Sequence, residues 1–374
     1  MDLTWSAAEE AFRAEARNWL TANVPEGLPS GDTREGFAAH LDWEKKLYDA
    51  RWAVVSWPAR FGGRDATLWE WLLFEEEYYR AGAPARVTQN GIFLLAPTVF
   101  AFGTPEQQDE ILPRMAAAEQ LWCQGWSEPG AGSDLAGITS RGSRVAGGWR
   151  LAGQKTWTTR GAFCTHLFGL FRTDPSASRH AGLTYFLVPL DAEGVTVRGF
   201  ARLDGDEGFA EVFFDDVFVP DSAVLGAVGA GWSVAMATTG SERGLTLRSP
   251  GRFLAAASRL RRLASSRGMS PAARDGVVEA HLRAEAYQLF TLAQVTQIVS
   301  GQAVGAESSL NKLYWSELDI ALHSTAMELL GPDAELDGEW ARGFLFSLAG
   351  PIYAGTNEIQ RSIVAERLLG LPRR

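Results

Sequence analysis

Residues 147–159, GGWRLAGQKTWTT, and 210–220, AEVFFDDVFVP, decide the fold class. Each mixes aromatic and β-branched residues in short strand-like runs, and both lie in a stretch where Gly is frequent. Between Gln120 and Gly226 the runs are Trp149–Leu151, Leu167–Phe171, Thr184–Val188, Val195–Val197 and Ala210–Val219. Gly147-Gly148 and Asp204-Gly205 supply turn chemistry between them. Short strands at this spacing predict a small antiparallel sandwich or barrel rather than βαβ units.

On both sides of this stretch the period is helical. Phe12, Ala16, Trp19 and Leu20 fall at i, i+4, i+7 and i+8 behind Ser6, which has the chemistry of an N-cap. Leu68–Tyr79 reads as a second helix, and Thr104-Pro105 as a cap followed by Pro at N1, leading into Ile111 and Leu112. The helical pattern returns from Gly231, with Gly301, Gly331 and Pro332 as its clearest breaks. The organisation is therefore multidomain α+β. It comprises an N-terminal α-helical domain (1–118), a central antiparallel β domain (119–228) and a C-terminal helical domain (229–374).

The composition is that of a globular protein: 374 residues, 46% hydrophobic and 21% charged. The net charge of −10 argues against a coat for nucleic acid or for an anionic membrane. Eight Arg lie between Arg243 and Arg274 with no Asp or Glu among them. That segment is either a place for an anion or a solvated helix face. Cys123 and Cys164 are the only cysteines, too few for a disulfide framework or a zinc cluster. The acidic N-terminus has no apolar run and no stretch is long enough to span a bilayer, so a cytoplasmic location without membrane contact is expected.

Several enzyme signatures fail. Gly130-Ala131-Gly132 begins like a dinucleotide fingerprint, but position 135 is Leu and no strand–helix unit surrounds it. Ser133 has Ala131 where a nucleophile elbow needs Gly. His40, His166, His180, His281 and His323 show no metal-ligand spacing, and no metal is expected. What remains is Trp126-Ser127-Glu128-Pro129-Gly130-Ala131-Gly132-Ser133-Asp134, whose backbone N–H groups and hydroxyls suit a phosphate or a polar ring edge. A plain Gly-rich turn is an equal reading. Lys155-Thr156-Trp157-Thr158-Thr159 offers an aromatic face beside hydroxyls, as a flat cofactor requires; a strand with a half-buried Trp fits the same letters.

These residues carry a resemblance. WSEPGAGSDLAG at 126–137 resembles the first signature of the acyl-CoA dehydrogenase family, and KTWTT at 155–159 its flavin-stacking strand. AEVFFDDVFVP at 210–220 and GAGW at 229–232 resemble the link into its C-terminal helices, and IYAGTNEIQRSIVAERLLGLP at 352–372 is similar to its closing motif. The matches keep the family's order across essentially the whole chain. The resemblance implies an α domain, a central β domain and a C-terminal four-helix-bundle domain. It implies FAD as cofactor and oxidation of an acyl-CoA thioester to its trans-2-enoyl form. A carboxylate takes the α proton and flavin N5 accepts the β hydride. Hydrogen bonds to the thioester carbonyl, one of them from the backbone N–H of Ala354, acidify the α C–H.

Many members carry the base as Glu between the Tyr and Gly of the closing motif. Here that position is Ala354, between Tyr353 and Gly355, and it cannot accept a proton. Another branch places the base in a Glu-Arg pair on the first long C-terminal helix. Glu242-Arg243 stands at the matching place, so the resemblance makes Glu242 the base and Arg243 a residue that orients the substrate region. Ser133, Tyr353, Ala354 and Gly355 join Arg243 on the substrate side. The flavin contacts implied are Ser127 and Ser133 at the ring edge and pyrophosphate, Trp157 on the ring face and Thr159 near N5. Trp126, Gly132 and Thr158 complete that wall, with Thr356 and Glu358 toward the adenosine.

Two departures bear on assembly. The family's Arg-x-x-Phe-Gly is missing where this chain reads ASSRGMSPAA (264–273). Its Gln-x-x-Gly-Gly-x-Gly appears as ELLGPDA (328–334). The resemblance implies a homo-tetramer or homo-dimer, with a hetero-oligomer of two related subunits as the alternative, and an electron-transfer flavoprotein as electron acceptor. Competing functions are an acyl oxidase or acyl-carrier-protein dehydrogenase of the same fold, and a non-catalytic subunit that completes a partner's FAD site.

Overall fold

The computed structural model describes residues 4–243, 249–302 and 305–373, and the side chains of residues 241–243 lie outside the description. The first helices are α1 (Ala7–Asn23), α2 (Arg34–Asp49), α3 (Leu68–Arg80), α4 (Ala96–Phe102) and α5 (Pro105–Ala116). Their starts follow from local chemistry. Ser6 and Thr104 each accept a bond from the N3 backbone N–H, while Glu9 and Gln107 reach back to the cap N–H, closing two capping boxes. Seven strands follow among the described residues: β1 (Trp122–Gly125), β2 (Arg141–Val145), β3 (Gly148–Thr159), β4 (His166–Arg172), β5 (Leu183–Pro189), β6 (Val195–Phe200) and β7 (Phe209–Pro220). The chain ends in α6 (Gly231–Arg243), α7 (Pro250–Arg267), α8 (Pro271–Val299), α9 (Glu307–Leu330), α10 (Glu339–Ser347) and α11 (Asn357–Ile363).

The strands run β1-β4-β2-β3-β7-β6, with β5 added on β4. Ladders are antiparallel except that β1 lies parallel to β4, with one parallel pair between β2 and β4. The tight β2–β3 turn uses Gly147 at φ +75°, a left-handed value that glycine takes without penalty. β1, short and paired only with the distant β4, and β2, polar and mostly exposed, are not distinguished as strands by composition alone.

The chain divides into two compact units. One joins residues 26–65 and 84–242, so the sheet and α6 share it with α2, α4 and α5. Its core packs Leu151, Leu167, Phe171, Phe186, Val212 and Phe214 from four strands. The other joins residues 1–25, 66–83 and 243–374. There Phe253 and Leu260 of α7, Tyr287 of α8, and Trp315, Leu318 and Leu322 of α9 form one cluster. In the same unit Glu77 is fully buried on α3. It accepts hydrogen bonds from Arg13, Arg17 and Arg80, whose charges keep its carboxyl ionised despite burial.

Candidate active site

The Gly-rich loop leaves β1 at Trp126, which is buried edge-on to Tyr185 with ring centroids 6.2 Å apart. Glu128 and Ala131 exchange backbone hydrogen bonds of 2.9 and 3.0 Å, so Pro129 and Gly130 form a tight turn between them. A Cβ placed on Gly130 or Gly132 would meet nothing within 4 Å, and Ser133 is exposed, so this rim is open. Ser127 is half-buried, and its carbonyl accepts from the N–H of Thr156 at 2.9 Å, tying the loop to β3.

Below that tie lies an ion pair. Lys155 is fully buried and donates to Glu128 Oε1 at 2.8 Å and to the Trp126 carbonyl at 3.4 Å. Glu128 also accepts from the N–H of Thr139 (2.6 Å), the Thr139 hydroxyl (2.8 Å) and the N–H of Ser140 (2.9 Å). Burial would raise its carboxyl, but the Lys155 charge and these donors outweigh it and pull the pKa down to about 2. Lys155 goes the other way: burial lowers it to about 8 despite the carboxylate.

Strand alternation would place Lys155 and Trp157 on one face, both buried. A register break between Lys155 and Thr158 prevents it. Trp157 takes φ +57° and turns outward, 61% exposed. Phe200 and Phe209 flank it at 5.3 and 5.6 Å between ring centroids, near-perpendicular. Thr158 is fully buried, and its hydroxyl has no partner among the described residues. The Trp126 indole N–H is likewise buried without one. Thr159 is half-buried at the strand end.

α6 belongs to this unit. Three buried hydroxyls hold it: Thr98 Oγ1 lies 2.9 Å from Thr238 Oγ1, and Tyr185 Oη 3.4 Å from the same atom. Glu242 comes one turn after Thr238, within α6; its side chain and that of Arg243 lie outside the described residues.

In the other unit the closing motif is equally well braced. Tyr353 stacks on Trp315 at 5.9 Å. Ala354 and Gly355 take φ +57° and +80°, and Gln360 Nε2 donates to both their carbonyls, at 3.0 and 3.3 Å. The Thr356 hydroxyl caps α11 by accepting from the N–H of Ile359, and Glu358 in the first turn faces solvent. Asn357 is buried, held by Lys312 Nζ at 2.8 Å and by Ser316.

Sequence reasoning passed over Glu128, Lys155, Thr98, Thr238, Tyr185 and Gln360. The only signal for the first two is that both lie inside the quoted motifs. Of the histidines, His40 bonds backbone carbonyls, His166 and His180 lie against Trp122 and Trp232, and His281 and His323 pair with Glu285 and Asp319. Among the described residues no three His, Cys, Asp or Glu are grouped to hold a metal ion.

A helical domain, a β domain with a Gly-rich rim beside an outward-turned Trp, and further helices define a three-domain α–β–α architecture. Family models for the acyl-CoA dehydrogenase N-terminal, middle and C-terminal domains match residues 6–119, 123–217 and 229–369. The chain belongs to the acyl-CoA dehydrogenase family, whose members are oxidoreductases. Acyl-CoA dehydrogenase IpdE1 of Mycobacterium tuberculosis is 41% identical over 97% of this chain and 98% of its own. Among solved structures, the Tcur3481–Tcur3483 steroid acyl-CoA dehydrogenase is 27% identical with a TM-score of 0.89, covering 100% of both chains. The ChsE4–ChsE5 complex of Mycobacterium tuberculosis is 27% identical with a TM-score of 0.85, again over 100% of both chains. No helix among the described residues is long and apolar enough to cross a membrane.

Proposed function

We propose that this chain is an FAD-dependent dehydrogenase that converts an acyl-CoA thioester to its trans-2-enoyl form, with Glu242 as the base. The observation that carries the cofactor is the outward-turned Trp157, 61% exposed, with the half-buried Thr159 following it at the strand end. A flat ring with polar edges fits that pair: the indole stacks it and the Thr159 hydroxyl offers a partner to its edge. Trp126, Ser127, Gly132, Ser133, Trp157, Thr158 and Thr159 would hold the ring and pyrophosphate, and Thr356 and Glu358 the adenosine end. FAD, when bound, supplies the hydride acceptor.

Glu242 removes the α proton of the thioester. The substitution of Ala354 for the carboxylate of the commoner branch supports that assignment, because it leaves the closing motif without a base. The Ala354 N–H donates to the thioester carbonyl, so that the negative charge developing on that oxygen is stabilised as the proton leaves. Ser133, Arg243, Tyr353 and Gly355 line the substrate side. Glu242→Gln is expected to keep the flavin spectrum and acyl-CoA binding while losing nearly all turnover. Near wild-type turnover would remove Glu242 from the role.

A similar solved protein is described as a steroid acyl-CoA dehydrogenase, which makes steroid-derived acyl-CoA thioesters the first substrates to test. Anaerobic bleaching of the flavin by a panel of thioesters reads this directly; bleaching only by short straight-chain thioesters would reject it. The same similar structures are named as complexes of two chains. With the missing Arg-x-x-Phe-Gly, this supports a hetero-oligomer over a homo-tetramer or homo-dimer. Co-expression with a related subunit should raise FAD occupancy. Full occupancy in a complex of this chain alone would favour the homo-oligomer. An electron-transfer flavoprotein is the expected electron acceptor, and oxygen consumption during turnover would instead mark an oxidase.

A further inference from the structure

The buried pair Glu128–Lys155 is used by no step above, yet it stands where the two halves of the flavin wall meet. The Gly-rich rim (126–134) and the end of β3 touch through three ties. These are the Thr156 N–H to the Ser127 carbonyl, the Lys155 ammonium to the Trp126 carbonyl, and the Lys155 ammonium to the Glu128 carboxylate. Two of the three pass through Lys155 Nζ. Glu128 in turn fastens the rim to the start of β2, through the N–H groups of Thr139 and Ser140. Trp157 follows Lys155 by two residues and is outward only because of the register break between them. Holding Lys155 inward is therefore the fixed side of the break that turns Trp157 out.

We propose that Glu128 and Lys155 are positioning residues for the flavin: the carboxylate–ammonium pair holds the Gly-rich rim against the β3 bulge, and the affinity for FAD depends on the Lys155 proton. The proposal rests on the FAD reading given above. Neither residue touches the ring; each acts through Trp126, Ser127 and Trp157. Around Lys155 Nζ the packed groups are the Glu128 carboxylate, the Trp126 carbonyl and the Phe171 ring on β4, whose centroid is 4.9 Å away. Among the described residues Glu128 is the one charged group acting on it, and it stays ionised throughout the neutral and alkaline range. Any change with alkaline pH at this joint is then the loss of the Lys155 proton. Burial brings that loss down to about pH 8. Once the ammonium is neutral, Glu128 is left without a counter-charge and the rim loses its tie to β3.

The test is FAD binding, not turnover. Apoprotein is titrated with FAD from about pH 6 to about pH 10, reading flavin fluorescence quenching, with near-ultraviolet circular dichroism at each pH to follow the fold. The expected result is a constant Kd below about pH 8 and a weakening of about tenfold per pH unit above it, with the fold unchanged. The double variant Glu128→Gln/Lys155→Met, which replaces the ion pair by neutral groups of similar size, should bind FAD more weakly and with no dependence on pH over this range. A flat wild-type profile with tight binding overturns the proposal and leaves the FAD reading intact. A double variant that keeps the wild-type slope, or loss of the fold over the same range, also overturns it. Failure to take up FAD at any pH overturns the FAD reading and the proposal with it.

Discussion

Two loops carry the residues that the family resemblance assigns to the site, and they are braced by opposite chemistry. The Gly-rich rim in the sheet-containing unit hangs on a buried carboxylate and ammonium, Glu128 and Lys155. The closing motif in the helical unit hangs on amides: Gln360 on the carbonyls of Ala354 and Gly355, and Asn357 on Ser316 and Lys312. A buried ion pair contributes little net stability, because desolvation offsets attraction, but losing one partner strands a charge. Cutting an amide brace leaves neutral groups unpaired, at a cost of about 1–3 kcal/mol, less than a stranded charge. The rim should therefore be brittle and sensitive to pH, and the closing motif more tolerant of losing the Gln360 amide.

The largest expected effect lies on chemistry rather than on either brace. Glu242→Gln should cut dehydrogenation by about 10²–10⁴-fold, measured by dye reduction, with both loops intact. Next comes Lys155→Met, which strands Glu128 and should lower the unfolding free energy in urea by about 3–5 kcal/mol. Gln360→Ala should cost about 1–3 kcal/mol in the same assay. A larger loss there than in Lys155→Met would reverse the contrast between the loops. The acid limb separates them too. The Glu128 carboxyl is depressed from 4.5 to about 2, so its stabilisation is complete above pH 4.5 and disappears as pH falls toward 2. Glu128→Gln should flatten that part of the stability curve; an unchanged curve would show that the pair does not titrate as described. The smallest effect is Ala354→Gly. It removes a left-handed strain of roughly 1 kcal/mol, partly offset by a freer unfolded chain, so the melting temperature should hold or rise slightly.

What the sequence made legible is what local chemistry determines. Ser6 and Thr104 cap their helices as their spacing with Glu9 and Gln107 predicts, and Gly147 turns the hairpin. The motif letters carried the family and the three-part order. The bulge at Trp157 was not legible: period-2 alternation assigns Lys155 and Trp157 to one face, and only the pairing with β7 shows the break. Nor was the Glu128–Lys155 contact, which joins residues 27 positions apart through burial. Glu128 read alone is one acidic residue in a polar loop. β1 was missed because its four residues gain meaning only beside β4.

Ala354 has a consequence for descent. Its backbone sits in the left-handed region, which a Cβ disfavours and glycine would occupy freely, yet the chain keeps a methyl group there. Gln360 and the cap at Thr356 hold the turn through backbone and neighbouring groups, so its shape does not depend on which side chain position 354 bears. Such a turn is a socket that outlives its occupant. The backbone of the turn can then stay as it is while the side chain at position 354 changes.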